Sequence, residues 1–272
     1  MINIAFEFPF LMQAVLALAA LHLSRLDQSL KEDYVRQVEF HHNAALSQFR
    51  NEIHNVEEFN FQAVLFFTFV MFPLSWAFRI HPQGDPEYML DSIIQNINLT
   101  RSTRPLVIKF YQPMLHSEIG RLVPRETREI DWEHEPRPAE TELIQLRIFS
   151  EATQHVYPPD INEAYTKAIQ LLEKIFAASS RVGTAHSDSL LKIWAHFITP
   201  RFLELLTDRQ PGALIIFAHY GVLFCRTRNY WFFEGVAQQI LHITDVLVPS
   251  ESKSWLVWPR EQIEAASSPV SV

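Results

Sequence analysis

The segment FQAVLFFTFVMFPLSWAF, residues 61–78, carries no charged side chain. Wound as a helix it presents apolar groups on nearly every side, and such a helix is stable only where protein or lipid covers it all round. A membrane span needs about 20 apolar residues. Gln62, Thr68, Pro73 and Ser75 interrupt the run, and Glu57 and Glu58 stand at its entry. These features favour a buried central helix from Glu57 to about Phe78, bent or ended by Pro73. The rest of the chain must therefore supply layers that surround it.

Those layers also read as helices. Leu11, Val15, Leu18 and Leu21 to Leu23 share a broad face between Pro9 and Leu26, and the alanine-rich AVLALAALHL allows close packing. Tyr34, Val38, His41, Ala45, Phe49 and Ile53 keep a three-or-four step over Glu32–Ile53. A helix follows from Glu87 into the Arg101–Arg104 region after the turn HPQGDP at 81–86. Helical spacing resumes over Thr141–His155 and Asp160–Ala178, with Asp160 as an N-cap. After a linker around Gly183 it continues through LLKIWAHFI, which Pro200 interrupts, through Pro211–Cys225, and through Tyr230–Leu247. Residues 113–138, with four prolines and mixed charges, read as an extended surface loop. Strand alternation is almost missing, which predicts an all-α fold: one orthogonal or bundle-like domain of about nine or ten helices over residues 1–262, with 263–272 as a disordered tail.

Composition narrows the function. The 31 acidic residues outnumber the 23 basic ones, giving a net charge of -8, which argues against binding nucleic acid by phosphate neutralisation. Arg101, Arg104, Lys109, Arg121 and Arg125 face one acid, Glu118, but the acids from Glu126 to Glu135 balance them, so a solvated face is the simpler reading. Cys225 is the single cysteine, so neither an intrachain disulfide nor a cysteine-built zinc site can form. The N-terminus lacks a basic leader, and its apolar part carries a helical face rather than a targeting signal.

Catalytic signatures do not accumulate. The twelve histidines include no H-E-x-x-H, and adjacent His41 and His42 would point about 100° apart on a helix. His196, His219 and His242 recur every 23 residues on three successive helices; isolated hydrogen-bonded histidines explain that spacing more simply than a metal site does. No G-x-S-x-G or phosphate-cradling glycine loop is present. Asp85, Glu87 and Asp91 do not form the acidic run expected of a magnesium-dependent terpenoid cyclase. No catalytic set, metal or cofactor is therefore expected.

Aromatic density is the remaining signal. Most of the 21 phenylalanines must be core. A subset can line an apolar pocket in which a few polar groups such as His219, Tyr220 or His242 orient a guest. On helical position, the candidate ligand-binding residues are Phe66, Phe69, Val70 and Trp76 in the central helix, and Phe217, His219, Tyr220, Phe224, Trp231 and Gly235 near the C-terminus. Gly235, read as lying inside a helix, suggests close approach of a neighbouring helix or ligand.

One resemblance draws these features together. PFLMQAVLALAALHLSR, HHNAALSQFR and PGALIIFAHYGVLFCRTRNYWFFEGVAQQILHITDVL, followed by WLVWP, resemble the C-terminal regulatory domain of fungal zinc binuclear cluster transcription factors, nearest the sterol-uptake-control type. The positions that carry it are Pro211, Ala213, Leu214, Ile216, Ala218, His219, Tyr220, Trp231, Gly235, Ala237, Trp255, Trp258 and Pro259. The resemblance implies an all-helical, homodimeric regulatory domain, shared between nucleus and cytoplasm, that binds a lipophilic molecule such as a sterol or another isoprenoid. It would control sterol or secondary-metabolite genes. The family's DNA-binding finger needs six cysteines, so DNA contact through that finger is not expected of this chain, nor is a membrane span. Without it the chain reads as a fragment, a truncated gene product or a stand-alone descendant. The competing expectation is a metal-independent enzyme or carrier for a terpenoid or polyketide.

Overall fold

The structure, a computed structural model, describes residues 1–78, 85–121, 128, 130–181, 188–227 and 230–267. Every regular element among them is helical, as the spacing requires. Parts of the expected turn at 81–86, of the 113–138 loop and of the C-terminal tail, and the linker around Gly183, lie outside the described residues. The chain packs as two compact units, Met1–Arg79 with Leu99–Val123, and Ile80–Asn98 with Pro124–Val272.

The first unit contains α1 (Ile2–Glu7), α2 (Pro9–Leu26), α3 (Lys31–Glu52), α4 (Phe61–Phe78), α6 (Arg104–Lys109) and α7 (Tyr111–Leu115). Pro9 opens α2, where its missing N–H costs nothing. The Asp27 side chain accepts from the Ser29 N–H at 2.9 Å, turning the chain so that α3 runs back along α2 as a helical hairpin. Ala14, Ala17 and Ala20 are buried on α2, and the His41 ring is 2.6 Å from Gln13 Oε1 across the pair. Helix α4 packs on α2. Phe67 stacks on Phe49 at 4.5 Å, while Phe10 meets both rings edge-on at 5.4 Å.

Helix α4 is the buried central element the sequence predicted, although it begins at Phe61 rather than Glu57. The Asn60 side chain accepts from Glu57 N and donates to Asn55 O, so the residues before it form a turn. Pro73 lies inside the helix and does not end it. Thr68 and Ser75 return their hydroxyls to Leu65 O and Phe72 O at 2.8 Å, so both are satisfied within the helix itself. Among the described residues, α2 alone is long and apolar enough by length and composition to cross a membrane. It packs against α1, α3 and α4.

The second unit holds α8 (Ile144–Thr153), α9 (Pro159–Arg181), α10 (Asp188–Phe197), α11 (Pro200–Thr207), α12 (Pro211–Arg226), α13 (Val236–Leu247) and α14 (Val257–Ser267). Helix α5 (Pro86–Ser102) contributes its residues to both units. Thr199 caps α11 by accepting from Phe202 N at 3.1 Å, and Pro200 fills the first helical position. Proline thus starts a new helix there, and it does so again at α12. Short helices of this kind raise the number above the nine or ten expected. At the C-terminus α14 continues to Ser267 with Ile263 buried, so ordered helix extends past residue 262.

Helix α12 is the core of this unit, buried from Gly212 to Phe224. Gly221 admits α13: a Cβ there would lie 2.9 Å from Ile240 Cγ2, inside any tolerable contact. Gly221→Ala is therefore expected to cost about 1–3 kcal/mol by overpacking, read as a lower urea midpoint at unchanged slope.

Within the expected loop at 113–138, α7 runs on to Leu115 and Glu118–Arg121 form a short helical turn, whereas the described residues after 130 are irregular and mostly exposed, as expected, yet tied down. Glu173 on α9, fully buried, binds the guanidinium groups of both Arg137 and Arg147. Arg147 also donates to Pro138 O at 2.6 Å and to Ala139 O at 3.0 Å. Lys174 donates to Trp132 O at 3.2 Å, and Arg226 pairs with Glu142. Arg137 and Glu142, with the carbonyls of Trp132, Pro138 and Ala139, thus pin the segment to its own unit.

Candidate functional site

The proposed ligand residues fall into two groups, one in each unit. In the first, Phe66, Val70 and Trp76 are buried on α4 and Phe69 is half-buried. Trp76 meets Phe72 edge-on at 6.2 Å. The aromatic centre of that unit is instead Phe67 with Phe10 and Phe49, which helical position did not single out.

In the second unit Phe217, Tyr220 and Phe224 are brought together. Tyr220 lies flat on Trp194 with ring centres 4.1 Å apart, Phe217 lies 6.0 Å from Tyr220, and Phe224 meets Tyr220 edge-on at 5.3 Å. The Tyr220 hydroxyl donates to Leu191 O at 3.1 Å, which ties α12 to α10. Burial pushes its ionisation far above the ordinary tyrosine range. Trp194 and Phe202 complete this cluster at 5.6 Å from each other. Neither was picked from the sequence, although Trp194 sits in the strongly amphipathic LLKIWAHF.

His219 faces elsewhere. One position along a helix turns a side chain by about 100°, and His219 stacks on Trp258 of α14 at 5.4 Å with the planes 10° apart. Its Nδ1 lies 2.8 Å from Ile215 O. A carbonyl can only accept, so Nδ1 carries the proton and Nε2 holds a lone pair in the ring plane. Among the described residues no group pairs with that Nε2, although the atom is buried. Burial outweighs the Ile215 bond and lowers the histidine pKa to about 4, so the ring is neutral in physiological conditions.

Trp231 and Gly235 occupy the connection into α13, and there the structure departs from the expected helix. The helix starts at Val236 rather than Tyr230, because Trp231–Phe233 form a separate short turn and Gly235 is the N-cap with φ 83°. Gly235 is required by that left-handed backbone, where a Cβ would be strained. The close helix approach expected of it belongs to Gly221.

The histidines at the 23-residue interval do not converge. His219 is buried, His196 is half-buried and His242 is exposed, and among the described residues no three metal-capable side chains gather.

The arrangement is thus an aromatic cluster on α10, α11 and α12, with a neutral buried acceptor on the next face of α12. Comparison with known proteins supplies a distant relative. The chain is 23% identical over 245 residues to Sterol uptake control protein 2 of Saccharomyces cerevisiae. The alignment takes in 87% of this chain and 26% of the yeast protein, so the chain spans about a quarter of that relative's length. No family model matches the chain, and no solved structure matches it significantly.

Proposed function

We propose that this chain is the regulatory module of a transcription regulator, and that a sterol or related apolar molecule binds among the aromatic helices and alters its contacts. The observation that carries this reading is the alignment to a sterol uptake control protein along 87% of the chain. The clustering of Phe217, Tyr220, Phe224, Trp194 and Phe202 supports it, since apolar guests are held by aromatic walls with few polar groups. In this reading the module works as a homodimer, resides in the nucleus and the cytoplasm, and leaves DNA contact to another segment. Regulation follows only if the ligand binds one arrangement of the helices better than another.

Native mass spectrometry with lipid extraction, alongside a thermal-shift series of sterols and other isoprenoids, tests this. A ligand present at 100 times its Kd adds about 2.7 kcal/mol, so a rise in Tm of roughly 5 °C or more is expected for one chemical class. A flat response to the whole series, with no co-purifying lipid, would remove the sensor reading.

A further inference from the structure

We infer that α2 pairs, antiparallel, with the α2 of a second copy of this chain through an outward row formed by Pro9, Met12, Leu16, Ala19, Leu23 and Leu26. The inference rests on the homodimer in the reading above and supplies its surface.

Helix α2 buries Phe10, Leu11, Ala14, Ala17 and Leu21 on one side. A helix at the surface of a unit ordinarily turns polar groups to water on the other. Here the polar groups are used elsewhere. Gln13 meets the His41 ring of α3 at 2.6 Å, the buried Ser24 hydroxyl donates to Leu21 O at 2.7 Å, and Arg25 is the one charged residue in the helix. Neither His22 nor Arg25 falls in the outward row. That row instead exposes Leu16, Leu23 and Leu26 by 40%, 42% and 69%, with exposed Ala19 and half-buried Met12 between and beside them. Helix α3 shows the usual arrangement, with Glu32, Asp33, Arg36 and Glu39 exposed.

The spacing of the row says what covers it. From Pro9 to Leu26 the steps alternate between three and four residues, which is the a/d seam of paired helices. The seam is also symmetric about the middle of α2, so that Pro9 mirrors Leu26, Met12 mirrors Leu23 and Leu16 mirrors Ala19. Two copies related by a two-fold axis across the helix therefore place every residue opposite its mirror, as a self-complementary contact requires. Leu16 then lies over the partner's Ala19, and this match of large with small allows close approach at the axis. The electrostatics agree: no like charges face each other, and antiparallel helix dipoles attract. A lipid surface is a poorer match, because a helix lying in that interface carries Lys and Arg along its polar face. The face of an 18-residue helix, about 27 Å long, is small against the roughly 800 Å² that each partner of a stable interface buries, so the pair is weak and concentration-dependent.

Analytical ultracentrifugation of the purified chain over a concentration series tests this. Reversible dimerisation is expected, and Leu16→Glu/Leu23→Glu should raise the dimer Kd by about 100-fold or more, since each carboxylate would have to be desolvated on pairing. Both positions are exposed, so the urea midpoint of the variant should stay near that of the wild type. Cross-linking gives an answer that does not depend on that variant. In a Cys225→Ala background, Met12→Cys and Leu23→Cys chains should form a disulfide when mixed and not when oxidised separately, because the two copies of position 12 stand about 16 Å apart, beyond disulfide reach. Cross-linking of each chain with itself would show parallel pairing and overturn the inference. A dimer that persists unchanged in Leu16→Glu/Leu23→Glu overturns this surface while leaving the homodimer reading intact. A chain that stays monomeric up to its solubility limit removes that reading and the inference together. Monomers that instead sediment with phosphatidylcholine vesicles, and fail to do so in the variant, assign the row to lipid and overturn the pairing.

Discussion

Glu173→Gln is expected to lower the unfolding free energy by about 3–5 kcal/mol, the usual cost of breaking a buried ion pair from one side. Glu173 has no exposure of its own, whereas its partners Arg137 and Arg147 are 41% and 20% exposed. The three losses should therefore rank. Removing the carboxylate charge breaks both ion pairs at once. Arg147→Ala leaves Glu173 with one partner and releases Pro138 O and Ala139 O as well. Arg137→Ala costs least, because that side chain already shares its charge with water and Glu173 keeps Arg147. Urea midpoints at constant slope give the ranking, and limited proteolysis within residues 131–143 reports whether the pinned segment comes free. A Glu173→Gln chain as stable as the wild type would mean that the carboxylate is not held as described. Replacing all three residues together by apolar ones need not destabilise at all, which separates the cost of stranded charge from the net worth of the clamp.

That clamp also marks where sequence reading fails. Helical spacing located α2, α3, α4 and α12 to within a few residues, because burial on one face or on all faces writes a period into the sequence. Glu173 is one polar residue among several on an amphipathic helix, and Arg137 and Arg147 lie 36 and 26 residues away. Nothing local distinguishes a charge that will be buried against such partners from one that stays in water. The same limit applied to glycine. Gly235 and Gly221 are equally visible, but only the backbone at Gly235, and the Ile240 side chain beside Gly221, show that one serves a left-handed cap and the other a helix crossing. Among candidate site residues, Phe217, Tyr220 and Phe224 were legible because they recur along one helix. Trp194, Phe202 and Phe67 were not, since their roles depend on which faces of separate helices meet.

His219 provides the second large effect, and its sign follows from proton linkage. Its ordinary pKa of 6.5 falls to about 4 in the folded chain. Above pH 6.5 the ring is neutral in both states, and its contribution to stability is fully present. Between pH 6.5 and 4 the unfolded chain takes up a proton that the folded chain resists, so stability declines as the pH falls, by on the order of 3 kcal/mol over that range. The informative quantity is the difference between wild type and His219→Phe, in which the contributions of all other groups cancel. The gap between the urea midpoints of wild type and variant should be constant above about pH 7 and shift against the wild type as the pH falls to about 4.5. A flat difference would show that the folded imidazole accepts its proton freely, which a buried ring with Nδ1 already committed to Ile215 should not do.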